Sequence, residues 1–102
     1  MKERFGEYIH KLRVENGMTL TKLAAALDID QSTLSKIENN KRKVTLDVIP
    51  KLADCFDLNT KDLEKELLSE EIALLTYDKS QTKEILQLAE KKAILYQKQM
   101  KQ

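Results

Sequence analysis

An all-α fold is what this sequence predicts, and three observations carry that expectation. Glycine occurs twice and proline once in 102 residues, which leaves little material for hairpin turns. Leu, Lys, Glu, Ala and Gln are abundant, and all are good helix formers. Apolar residues recur at helical spacing, as in Phe5, Ile9 and Leu12 at i, i+4 and i+7. Hydrophobic residues make up 41% of the chain and aromatics only 5%, so the core must be modest and mostly aliphatic. The length suits one domain, or a small domain with an extension.

The elements follow in order. The Phe5 stripe is the first amphipathic helix, and Asn16-Gly17 ends it, Gly17 being free to turn left-handed. Thr19 is placed to cap a second helix whose buried face is Leu20, Leu23, Ala24 and Leu27. Asp28-Ile29-Asp30 is a break with an apolar plug between two acids, and Asp30 is a good cap for a third helix over residues 31–39. Leu34 and Ile37 are its buried side, Asn39-Asn40 closes it, and residues 41–44 form a basic loop. A fourth helix runs from about Thr45 or Asp47 to Phe56; Pro50 is tolerable only in a first turn, which favours the later start. After the break Asp57-Leu58-Asn59, Thr60 caps a fifth helix containing Leu63, Leu67 and Leu68. Ser69-Glu70-Glu71 either continues that helix or restarts it, and the polar gap at residues 78–81 precedes a last helix from about Thr82 to the end. There is no internal repeat.

The composition excludes several function classes. His10, on the first helix, is the one histidine and reads as a surface or boundary residue; Cys55 reads as a small core residue of the fourth helix. Neither has the companions that a metal site or a catalytic base requires, no phosphate-cradling glycine motif is present, and an enzyme is not expected. One cysteine suits a reducing cytoplasm. The N-terminal segment lacks a signal-peptide apolar core, and the longest apolar run, residues 23–27, is far too short to span a membrane.

Net charge is +1, but it is unevenly spread. Residues 1–51 hold ten Lys and Arg against seven Asp and Glu, and residues 52–102 hold eight against ten. The basic excess gathers in Lys36, Lys41, Arg42 and Lys43, a solvated loop on one reading and a phosphate-binding edge on the other.

Residues 19–40 decide between them. Two short helices, a three-residue turn and a packing helix meet the demands of a helix-turn-helix. The small Ala24 stands where the helices come closest, Ile29 anchors the turn, and Gln31, Ser32, Thr33, Ser35 and Lys36 keep apolar bulk off the outer face of the second helix. Gln bonds adenine bidentately, Lys donates to guanine acceptors and a Thr methyl meets thymine, so this face suits the DNA major groove. An αα-corner without DNA-binding function is the plain alternative.

Phe5 through about Leu68 resembles the Cro/lambda-repressor type (XRE-like) of helix-turn-helix transcriptional regulator. The likeness rests on Leu12-Arg13, Gly17-Met18-Thr19, Leu23-Ala24, Ile29, the run from Ser32 to Asn39, and Leu52-Ala53. It implies a five-helix DNA-binding domain over residues 1–68, with residues 69–102 as a helical extension. It further implies that Gln31, Ser32 and Lys36 face the bases. Thr19, Thr21, Thr33, Asn39, Lys41, Arg42 and Lys43 then meet phosphate, Thr19 and Thr21 beside the backbone N–H groups that open the second helix. Arg13 and Glu38 match a pair that forms an internal salt bridge. Two departures stand out. Leu20 occupies a position where the family often has a DNA-contacting glutamine, and Asp28 and Asn40 replace common glycines. Asp28 adds a negative charge near the DNA-facing side.

One such domain makes few contacts, and dimers add a second half-site about one helical turn away, ~10 bp. Leu86, Ala89, Ala93, Tyr96 and Met100 step by three and four residues and form an apolar seam, the expected pairing surface. The alternative is that this helix folds back on its own domain. The expected function is a dimeric repressor of a pseudo-palindromic operator on double-stranded DNA, without a cofactor, since the tail is too short for a metabolite-sensing domain. The rivals are an antitoxin whose C-terminal segment grips a toxin, the controller of a restriction–modification operon, and a helical adaptor that binds no DNA.

Overall fold

A computed structural model describes residues 2–101, and every regular element among them is an α-helix. The helices are α1 (Phe5–Glu15), α2 (Leu20–Ala26), α3 (Gln31–Glu38), α4 (Val48–Phe56), α5 (Thr60–Thr76) and α6 (Thr82–Met100). The chain divides into two compact units, Met1–Glu70 and Glu71–Gln102.

In the first unit the apolar stripes meet in one core. Phe5 and Ile9 of α1, Leu23 of α2 and Leu27 at its C-terminal cap, Leu34 of α3, and Ile49 and Leu52 of α4 are all fully buried, and Leu63 and Leu67 of α5 join them. Leu20 and Phe56 are half-buried at the edge of this core, Leu12 is half-buried, and Leu68 is exposed.

Four helices of this unit end in the same way. Gly17, Asp28, Asn40 and Asp57 all have positive φ, from 54° to 64°. Each is followed by a residue whose N–H reaches back across the turn: Met18 to Arg13 O, Ile29 to Ala24 O, Lys41 to Lys36 O and Leu58 to Ala53 O. These bonds satisfy carbonyls that a helix end would otherwise leave open. Met18, Ile29 and Leu58 then pack against the core, which sets the direction of the chain after α1, α2 and α4. Asp and Asn substitute for glycine here because their short polar side chains tolerate the left-handed region.

The helix starts are equally local. The Thr19 hydroxyl oxygen accepts the Lys22 N–H at 3.1 Å, and an Asp30 carboxylate oxygen accepts the Thr33 N–H at 2.6 Å. α4 begins at Val48, so Pro50 falls in its first turn, where the missing N–H costs nothing. Ahead of it the Thr45 hydroxyl donates to the Asp47 carboxylate. The cap of α5 corrects the sequence reading: Asn59 Oδ1 accepts the Asp62 N–H at 3.0 Å, so Asn59 does the capping and Thr60 is the first helical residue. α5 then continues through Ser69, Glu70 and Glu71 without a restart.

α1 and α3 approach closely at Gly6. A Cβ built on Gly6 would stand 2.0 Å from the Ile37 carbonyl oxygen and 2.8 Å from Asn40 Oδ1. Just beside it, Asn40 Nδ2 donates to Glu7 Oε1 at 2.9 Å. The glycine lets α1 lie directly on the end of α3.

The second unit holds the last residues of α5, a turn and α6. Thr76 is buried and its hydroxyl donates to Ile72 O at 2.8 Å. The Thr82 hydroxyl faces both Lys79 O and Thr76 O, at 2.6 and 2.8 Å, fixing the turn into α6. α6 itself buries no residue. Among the described residues no helix is long and apolar enough to cross a membrane.

Candidate nucleic-acid interface

α3 is held by its inner side and its far end, which leaves its opening turn outward. Leu34 and Ile37 are buried, and the backbone N–H of Thr33 is tied to Asp30. That hydrogen bond, reinforced by the Thr33 side chain, holds the exposed Asp30 carboxyl below its ordinary pKa, and Asp30 stays ionised as a cap. At the other end Glu38 is buried, with 4% of its side chain exposed. Arg13 reaches it from α1, Nε donating to Oε2 at 2.8 Å and Nη2 to Oε1 at 3.0 Å, while Nη1 donates to Met18 O at 3.0 Å. His10 Nδ1 lies 2.7 Å from Glu38 Oε1. Burial acts to raise the Glu38 pKa, but the hydrogen bonds from Arg13 and His10 together outweigh it and keep the carboxyl below the usual range. The clamp is internal: Arg13 spends its donors on α3 and on the turn after α1.

On the outer side, Gln31, Ser32 and Lys36 are exposed, and Thr33 is half-buried next to them. Ser32 and Lys36 make no side-chain hydrogen bond to any described residue. Gln31 is different, for the Thr21 hydroxyl of α2 donates to its Oε1 at 2.7 Å. Thr19 and Thr21 are exposed at the start of α2. Asn39 is exposed, but its Nδ2 donates back to Ser35 O at 2.8 Å.

The left-handed turn at Asn40 carries the chain directly from α3 into Lys41, Arg42 and Lys43, all exposed. Val44 is buried and pins the loop to the core immediately behind them. Three cations therefore follow the recognition-type helix on a short tether. Asp28, a negative charge in the turn before α3, has Lys51 Nζ 3.5 Å from its Oδ2 across an exposed gap, a contact worth little in stability but one that offsets the charge.

The family model described as helix-turn-helix matches residues 9–63. The chain belongs to the helix-turn-helix family, in its Cro/lambda-repressor-type (XRE-like) branch. Such a domain is a DNA-binding domain. A relative of this helix-turn-helix protein is the HTH-type transcriptional regulator PrpR of Mycobacterium tuberculosis, 38% identical over 56 residues. The aligned stretch is 55% of this chain but only 12% of that protein. No solved structure gives a significant match.

Two partners at this site escaped the sequence reading. His10, a surface or boundary residue by its place on α1, is half exposed and also sits on Glu38, 28 residues away. Lys51 faces Asp28 from α4. A visible signal existed for His10, since it lies one turn before Arg13 on α1. For Lys51 there was none. Cys55 is half-buried, its Sγ 4.0 Å from Met18 Sδ, and among the described residues no group of three or more His, Cys, Asp or Glu is placed to hold a metal ion.

Proposed function

We propose that this chain is a non-enzymatic, cytoplasmic repressor that binds a pseudo-palindromic operator as a homodimer. The observation that carries the reading is the outer face of α3, where Gln31, Ser32 and Lys36 are exposed, with the exposed Lys41, Arg42 and Lys43 just beyond it. In the major groove Gln31, Ser32 and Lys36 read base edges. Thr19, Thr33, Asn39 and the three loop cations meet the phosphates on either side. The Thr19 hydroxyl accepts a backbone N–H in the cap and keeps its own proton for a phosphate oxygen. Occupancy of the operator then blocks transcription.

Two substitutions separate these roles. Lys36→Ala costs about 1–3 kcal/mol of specific binding and relaxes sequence preference, whereas Lys41→Ala weakens binding to every sequence and lowers its salt slope. Fluorescence anisotropy on matched and mismatched duplexes distinguishes the two; a Lys36→Ala protein with unchanged affinity and preference contradicts the base-reading role.

Pairing is assigned to α6. Leu86, Tyr96 and Met100 are 40%, 45% and 71% exposed, and Ala89 and Ala93 are exposed between them. A helix of 19 residues with this apolar seam and no buried residue is short of a partner. The full chain is therefore expected to show twice the monomer mass in light scattering, and Leu86→Glu to reduce it to one chain. The same exposed seam supports a second reading, an antitoxin in which α6 grips a toxin; a monomeric chain that co-purifies with the product of an adjacent gene favours it. A restriction–modification controller requires the same DNA-binding dimer and differs in its target.

A further inference from the structure

We propose that Thr21 is a positioning residue that sets which base Gln31 prefers, an inference that rests on the base-reading role of Gln31. The two residues stand ten apart in sequence, on the exposed opening turns of α2 and α3, and the Thr21 hydroxyl donates to Gln31 Oε1 at 2.7 Å. A hydroxyl carries a single proton. With that proton on Oε1, Thr21 has only lone pairs left, and these cannot bond a phosphate oxygen. Holding Gln31 and donating to the DNA backbone are thus alternatives, and the geometry points to the first.

The consequence lies in the carboxamide. Its oxygen only accepts and its nitrogen only donates, so a freely turning glutamine offers either end to a base. Thr21 takes one lone pair of Oε1 and turns that end toward α2. What remains for DNA is one lone pair on Oε1 beside two donors on Nε2. That pairing matches adenine, whose N6–H donates and whose N7 accepts. Guanine places its O6 acceptor where the amide oxygen stands and gains at most one bond. Its neighbour Leu20 has no polar group and is half-buried against the core, and Thr21 is the residue of α2 whose side chain bonds Gln31.

The test uses the full chain with duplexes selected from a random library, then varied one base pair at a time. Binding is measured for the wild type, Thr21→Val, Thr21→Ser, Gln31→Ala and the double variant Gln31→Ala with Thr21→Val. Gln31→Ala is expected to flatten preference at one base pair of each half-site, where the selected base is adenine. Thr21→Val lowers discrimination at that same pair by about three- to ten-fold, the worth of one hydrogen bond, and leaves other positions and the salt slope unchanged. Thr21→Ser restores it, and Thr21→Val adds nothing once Gln31 is alanine. Uniform weakening on all duplexes in both backgrounds makes Thr21 a phosphate contact and overturns the proposal, as does unaltered preference in Thr21→Val. A Gln31→Ala protein with wild-type preference overturns the reading beneath it as well, so the two failures are told apart.

Discussion

Gly6→Ala destabilises the first unit by at least about 3 kcal/mol, the upper end of what overpacking a core costs. The added methyl would lie 2.0 Å from the Ile37 carbonyl oxygen and 3.1 Å from its carbon, far inside contact distance. These are backbone atoms and cannot swing aside as a flexible side chain does. Ile37 O also accepts the Asn40 N–H at 3.1 Å, so moving it disturbs the left-handed turn that closes α3. The alternative is for α1 to lift away, which opens the core under Phe5 and Ile9, both fully buried. Either route moves α3 relative to its support, so DNA binding falls with stability. Thermal unfolding checks this, with the midpoint expected to drop by more than about 10 °C for a domain of this size. Gly17→Ala is the control: its Cβ meets nothing within 4 Å, although φ is +64°, so only the left-handed strain of about 1 kcal/mol applies. A Gly6→Ala protein that melts like the wild type contradicts the close approach of α1 and α3.

Arg13→Ala has the second large effect, about 3 kcal/mol, because it leaves the buried Glu38 carboxylate without its main partner. Arg13 supplies two of the three side-chain hydrogen bonds that Glu38 receives, and His10 alone, half exposed, does not replace them. The sign of the pH dependence follows from the direction of the shift. Glu38 in the wild type is held below its ordinary pKa, so its contribution is fully present above the unfolded value and is lost as pH falls through the lowered folded value. Without Arg13, burial is the leading influence and favours the neutral acid, so the variant gains relative to the wild type on acidification. Denaturant midpoints measured at neutral pH and below about pH 4 are expected to show a large gap that narrows. A gap that stays constant across that range contradicts a charged Glu38 as the partner of Arg13.

Local features of the chain were readable because local chemistry decides them. Thr19 and Asp30 precede apolar stripes and carry oxygens that accept backbone N–H groups, and both do so. Gly17, Asp28 and Asn40 stand where helices had to stop, and all three turn left-handed. The exposed face of α3 was legible for the same reason, since its polar residues fall on the side away from Leu34 and Ile37. Adjacent candidates were harder. Asn59 and Thr60 are both good caps, and only the backbone geometry places the bond on Asn59. Least legible were contacts between distant segments. Nothing in the sequence around Gly6 announces its close approach to Ile37 and Asn40. Likewise, nothing in the spacing of Thr21 and Gln31 announces a hydrogen bond, because it depends on how α2 and α3 cross. Of α6 the apolar seam was legible, and the helix buries no residue.

The most direct test of the account is selection of duplex DNA by the full chain from a random library, followed by binding of the recovered sequences at about 50 and 200 mM salt. If α3 reads base edges for a pair of such domains, selection yields an inverted repeat with half-site centres ~10 bp apart, and binding to it persists at the higher salt while random duplex is released. Recovery of no enriched sequence, with all duplexes lost together as salt rises, contradicts it.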